Sequence, residues 1–165
     1  MKLSIERLIR EDDISPLFWG MNETDLLRIW PHMANDIREG RQSKTPLLNL
    51  DEVELYFTKD YYQGLSQLII QVWAIEPAAE TQYLDFGWIN NRVTLGAVRK
   101  LLTSRGWEYE EGPNPGYAAP LLMVEKRAAF LFQNAEDGYL LEKIVIYSPE
   151  DALRRYQIAQ NMKRL

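Results

Sequence analysis

The sequence predicts an α+β fold: two similar halves, each a short helix followed by an antiparallel meander, and a further helix at the C-terminus. Three observations predict it. The apolar spacing switches from helical to alternating twice, in the same order; turn residues bound each switch; and the chain closes on a helix-start signature. With 165 residues, 46% of them hydrophobic, the chain has the length of one domain and enough apolar material to fill its core. Residues 1–165 are therefore expected to form a single compact domain, with halves at 20–76 and 92–148 and the terminal helix at 149–165.

In the first half, Asn22-Glu23-Thr24-Asp25 stands before Leu26, Leu27, Ile29 and Trp30. A cap residue with an acid three positions on is how two side chains satisfy two orphan backbone donors at a helix start. Pro31 is expected to limit that helix or to begin another turn. Residues 46–50, the pair Asp51-Glu52 and residues 53–57 read as a hairpin, and a polar turn holding Gly64 leads to a third strand at 68–73. Residues 76–81 make the best linker, and 83–88 a further short strand.

The second half repeats the plan. Thr94 caps a segment whose Leu95, Val98, Leu101 and Leu102 share one helical face, and Gly106 closes it. Trp107-Glu108-Tyr109-Glu110 alternates aromatic and acidic residues, as an edge strand with one wet face does. Residues 112–117 are the most turn-rich stretch. A second hairpin at 120–124 and 128–132, a turn with Gly138 and a strand at 144–147 follow. An offset of about 75 residues sets Phe57 on Phe132, Leu65 on Leu140, Gln67 on Glu142, Ile69 on Ile144 and Ile70 on Val145. The hairpin starts need one residue less and the helices less still. Phe57, Ile69, Phe132 and Ile144 are accordingly expected in the core. At the end, Ser148-Pro149-Glu150-Asp151 opens a helix with Leu153, Tyr156, Ile158 and Met162 on its buried face.

Composition excludes several function classes. Without cysteine there is no thiolate nucleophile, disulfide or cysteine-held metal, and one histidine, His32, cannot make a multi-histidine site. A net charge of -5 argues against nucleic acid, which needs a concentrated basic surface. No apolar run reaches the roughly 20 residues that span a bilayer, and the charged start is unlike a secretory signal. A cytoplasmic protein with no cofactor, no nucleic-acid partner and no membrane partner is the expectation.

The remaining chemistry is sparse. Residues 40–45 place glycine before lysine and threonine, but the second glycine of a phosphate loop is missing and Pro46 follows. His32 would stand one helical turn from Asp36, with no serine in a nucleophile elbow. Carboxylates cluster at Glu11, Asp12 and Asp13, at Asp51, Glu52 and Glu54, and at Glu108, Glu110 and Glu111. Such groups serve acid-base work or hold magnesium only where they converge in a cleft. Five tryptophans and nine tyrosines are more than a core of this size needs. Those at element ends or in loops suit interface anchoring, since they desolvate a large area while keeping a polar handle.

The stretch Gly20-Met21-Asn22-Glu23-Thr24-Asp25-Leu26-Leu27, followed by the hairpin pairs, resembles the repeated helix-and-sheet modules of β-lactamase inhibitory proteins. The second half, from Thr94 to Tyr147, is similar to small bacterial immunity proteins. These likenesses imply a bacterial, non-catalytic protein of immunity or inhibitor type that binds a partner stoichiometrically; they assign no site residues. An acidic chain favours a basic protein partner. The contact surface expected is the loop at 112–117 with Trp107, Glu110 and Tyr117, joined by Trp88 and Tyr62. Alternatives are a small-molecule binder using the cleft between the halves and a carboxylate-dependent enzyme.

Overall fold

The computed structural model describes residues 2–42, 47–59, 63–114 and 118–163. A short strand β1 (Leu3–Ser4) runs into helix α1 (Ile5–Arg10), followed by α2 (Glu23–Ile29), a 3-10 turn at Pro31–Met33 and α3 (Ala34–Gln42). Strands β2 (Leu47–Leu50), β3 (Val53–Lys59) and β4 (Gln63–Ile70) form the first meander. After a 3-10 turn at Val72–Ala74 come β5 (Leu84–Asp85), α4 (Leu95–Ser104) and the edge strand β6 (Tyr109–Pro113). Then β7 (Pro120–Val124), β8 (Ala128–Ala135) and β9 (Gly138–Tyr147) form the second meander, and α5 (Pro149–Lys163) ends the chain. The fold is α+β. One antiparallel sheet runs in the order β2-β3-β4-β9-β8-β7-β6, and β1 pairs with β5 in a small parallel ribbon.

Local chemistry explains the boundaries. The Asn22 side chain accepts from the Asp25 N–H at 3.1 Å and the Asp25 carboxylate accepts from the Asn22 N–H at 3.0 Å, so α2 opens with a reciprocal cap. Thr94 and Ser148 cap α4 and α5 in the simpler form. Gly106, at φ +70°, lets its N–H reach Thr103 and the Trp107 N–H reach Leu102, which satisfies the last carbonyls of α4. α1 falls where the sequence reading saw only a charged stretch: Ile5, Leu8 and Ile9 share its buried face.

Helices α1 to α4 cover one face of the sheet. Val53, Leu55, Phe57, Leu68, Ile70, Phe130, Phe132, Ile144 and Ile146 join Leu26, Trp30, Ile37, Val98 and Leu102 in a single buried cluster. At about 25 cal/mol per Å² of apolar surface removed from water, this layer is the main source of stability. The opposite face carries Leu121, Met123, Ala129, Leu131, Val145 and Ile69 alongside Glu54 and Gln67, as the strand pairings require.

Two features recur in the two meanders. Ser66 has no partner between the pairs Tyr56-Gln67 and Phe57-Leu65, and Glu142 has none between Leu131-Lys143 and Phe132-Leu141, so β4 and β9 each carry a bulge. The Leu65 N–H donates to the Met21 carbonyl and the Leu141 N–H to that of Val93, both just before a helix cap. These pairings make Leu65 the counterpart of Leu141 and Leu68 the counterpart of Ile144, one residue beyond the 75-residue offset on the third strands. The offset fails there because Ile69 pairs with Val145 and turns to the face away from the helices. Ile69 is thus half-buried and outside the core, whereas Phe57, Phe132 and Ile144 are in it.

Two further expectations are corrected. Leu153 and Ile158 on α5 are 58% and 54% exposed, so they are not its buried face; the side chains of Tyr156 and Met162 lie outside the described set. Asp151, buried at the start of α5, pairs within the helix with Arg154 and Arg155, and the Arg155 guanidinium, 4.4 Å from the centre of the Tyr147 ring, links the helix to β9. The third strand of the first half stops at Ile70, and Trp73 is 54% exposed in the turn beyond it.

Candidate functional site

The residues expected to form a contact surface part company in three dimensions. Trp107 follows the closing glycine of α4, and its ring is 8% exposed and belongs to the core cluster. The sequence places Trp107 on a contact surface; in the fold it is buried within the core cluster. Trp88 is half-buried and packs tilted against Phe130, ring centres 6.5 Å apart. Its indole N–H is buried without a partner, a loss of about 1–3 kcal/mol where nothing compensates. Gly112 and Pro113, expected in an irregular loop, lie in β6, paired with Leu121 and Pro120. Tyr62 and Tyr117 lie outside the described residues.

Glu110 remains on the surface. It sits at the middle of β6 opposite Met123, on the face away from the helices. Glu108 and Glu110, with Tyr109, Met123 and Lys126, line a shallow cavity of about 330 Å³. The signal was present in the sequence, since the alternation through residues 120–124 puts Leu121 and Met123 on one face; what pairs with them was not.

Several other carboxylates are engaged within the chain, whereas Glu52 keeps one buried carboxylate oxygen without a partner among the described residues. Asp13 takes hydrogen bonds from Ser15 and from Arg7, which hold its carboxyl at about 2, below the usual range. Asp12 accepts from the Trp19 indole and faces Arg127 at 3.6 Å. Glu54 accepts from the Tyr56 hydroxyl at 2.7 Å and from Gln71; burial first, then Glu54, raises the Tyr56 phenol to about 12. Glu111 pairs with Arg99, Glu125 with Arg10 and Glu23 with Arg41. Glu108 and Glu110 stand in no ion pair among the described residues. No group of three or more His, Asp or Glu among those residues is gathered as a metal would need.

His32 does not turn to Asp36. Its Nε2 lies 2.6 Å from the Tyr83 hydroxyl, with the two rings stacked. Tyr83 also meets Trp30 edge-on at 5.2 Å, and burial, followed by Asp51 and Asp36, pushes its phenol up. This pair joins the segment after the first half to the 3-10 turn that follows α2. The phosphate-loop segment falls partly on residues 43–46, outside the described set. A wider groove of about 620 Å³ runs between the N-terminal segment and residues 79–87, lined by Lys2, Ser4, Arg7, Thr81, Asp85 and Phe86 among others. It borders the β1-β5 ribbon and not the junction of the two meanders.

No described helix is long and apolar enough to cross a membrane. No family model, curated protein or solved structure matches the chain.

Proposed function

We propose that this chain is a non-catalytic protein-binding module of immunity or inhibitor type, acting by stoichiometric binding to a partner of basic character. The observation that carries the reading is the surface at β6. Two carboxylates, Glu108 and Glu110, stand there free of described ion pairs above the half-buried Met123, while the neighbouring Glu111 and Glu125 are paired within the chain. Unpaired charge beside an apolar floor costs solvation if it is covered without a counter-charge and favours a partner that brings one. Leu121 and Leu131, both half-buried, continue that floor across the same sheet face, on which Ala129 and Val145 are buried. The engagement of Asp12, Asp13 and Glu54 in structural hydrogen bonds favours binding over carboxylate catalysis at those three groups.

The test is affinity capture from the source cell, identification of the bound protein, and reconstitution with the purified partner in a calorimeter. A saturating one-to-one complex that associates several-fold more slowly with the Glu108→Gln, Glu110→Gln double variant supports the reading. Substrate turnover by the purified chain, or a double variant that associates as fast as the parent at low salt, overturns it.

A further inference from the structure

We propose that the free edge of β6 takes an extended basic segment of the partner as an added strand of the sheet. This rests on the binding reading above and specifies how the partner is held. The Glu125 N–H donates to the Glu108 carbonyl at 2.8 Å. In an antiparallel ladder, residues alternate between those whose backbone groups face the neighbouring strand and those whose groups face away. Glu108, Glu110 and Gly112 therefore bond toward β7, and Tyr109 and Glu111 turn their N–H and C=O groups outward. The Pro113-Pro120 pair has the same outward parity, since two prolines have no N–H to exchange. No described strand lies beyond β6, so this row of donors and acceptors is open to a strand from elsewhere.

Side chains set the chemistry of that strand. Residues beside one another on adjacent strands share a sheet face, so every second side chain of the added strand stands with Glu108 and Glu110 over Met123. Two carboxylates against one cation, Lys126, favour lysine or arginine at those positions. Tyr109 and Glu111 turn to the helix side, where Glu111 is held by Arg99. Pro113 removes a donor and limits the added strand to a short one. The other edge, β2, carries no acidic residue and lacks this charge preference.

The experiment titrates the isotope-labelled full chain with a short end-blocked peptide alternating lysine with valine, and with its glutamate-valine counterpart. Binding of the lysine peptide, with amide shifts and slowed hydrogen exchange centred on Tyr109 and Glu111, is the expected result. Glu111→Pro deletes one outward donor without touching the β6-β7 ladder and weakens binding about fivefold to tenfold. Glu111→Gln, which loses only the Arg99 pair, stays within about twofold of the parent. Should Glu111→Pro not fold, a lysine peptide N-methylated at one backbone position tests the same hydrogen bonds from the other side. Equal binding of both peptides, no binding near 1 mM, or an N-methylated peptide and proline variant as tight as the originals overturns the proposal. The two readings separate with the reconstituted partner. A complex that forms equally with parent and Glu111→Pro removes strand addition and leaves stoichiometric binding standing, whereas substrate turnover removes the binding reading.

Discussion

Leu68 and Ile69 are chain neighbours of similar size on opposite faces of β4, and replacing each by alanine measures which face is the core. Leu68 is fully buried in the cluster under the helices. Its alanine variant removes three carbons, about 2.4 kcal/mol of transfer free energy at roughly 0.8 per methylene, and leaves a cavity between sheet and helix layer. The expected loss is about 2.5–5 kcal/mol, a large part of a typical total of 5–15. Ile69 loses the same number of carbons, but it is half-buried and faces Val145 on the far side. Water fills the gap, half of the transfer energy applies, and the expected loss is about 1–1.5 kcal/mol. Urea denaturation with a shared slope reads both values, and thermal melts should separate the variants by roughly 3–15 °C. An Ile69→Ala variant that loses as much as Leu68→Ala would mean that the helices cover the other face, and the face assignment would fall with it.

Two further outcomes follow from the local chemistry. Asn22→Ala and Thr94→Ala should each cost about 1 kcal/mol in denaturant, and Asn22 more than Thr94, because its cap is reciprocal with Asp25; equal small effects would refute that ranking. Asp13, with its folded-state carboxyl at about 2 against an ordinary 3.8, contributes stability that is present above about pH 4 and is lost as the pH falls toward 2. Carboxyl chemical shifts should show Asp13 titrating near 2, and Asp13→Asn should flatten the acid limb of the stability curve over that window.

Capping, turns and period are local properties, and the sequence alone was sufficient for them. Asn22, Thr94 and Ser148 act as helix caps because their side chains reach backbone donors within one turn, and Gly106 closes α4 because it tolerates a left-handed backbone. The α+β class follows from the same short-range signals. What only the tertiary structure decided is which of two alternating faces is buried and which strand lies beside which. The bulges at Ser66 and Glu142 shift register by one residue, and a one-residue slip exchanges the faces of a strand, so Ile69 left the core. Trp107 followed the same logic in reverse: its edge-strand pattern with Glu108 and Glu110 implied a wet aromatic, but the return from α4 drives the ring under the sheet. The carboxylates show it most plainly. All three clusters are short acidic runs, and only the placement of arginines from distant segments distinguishes Glu111 and Asp12, which are paired, from Glu108 and Glu110, which stand in no ion pair among the described residues.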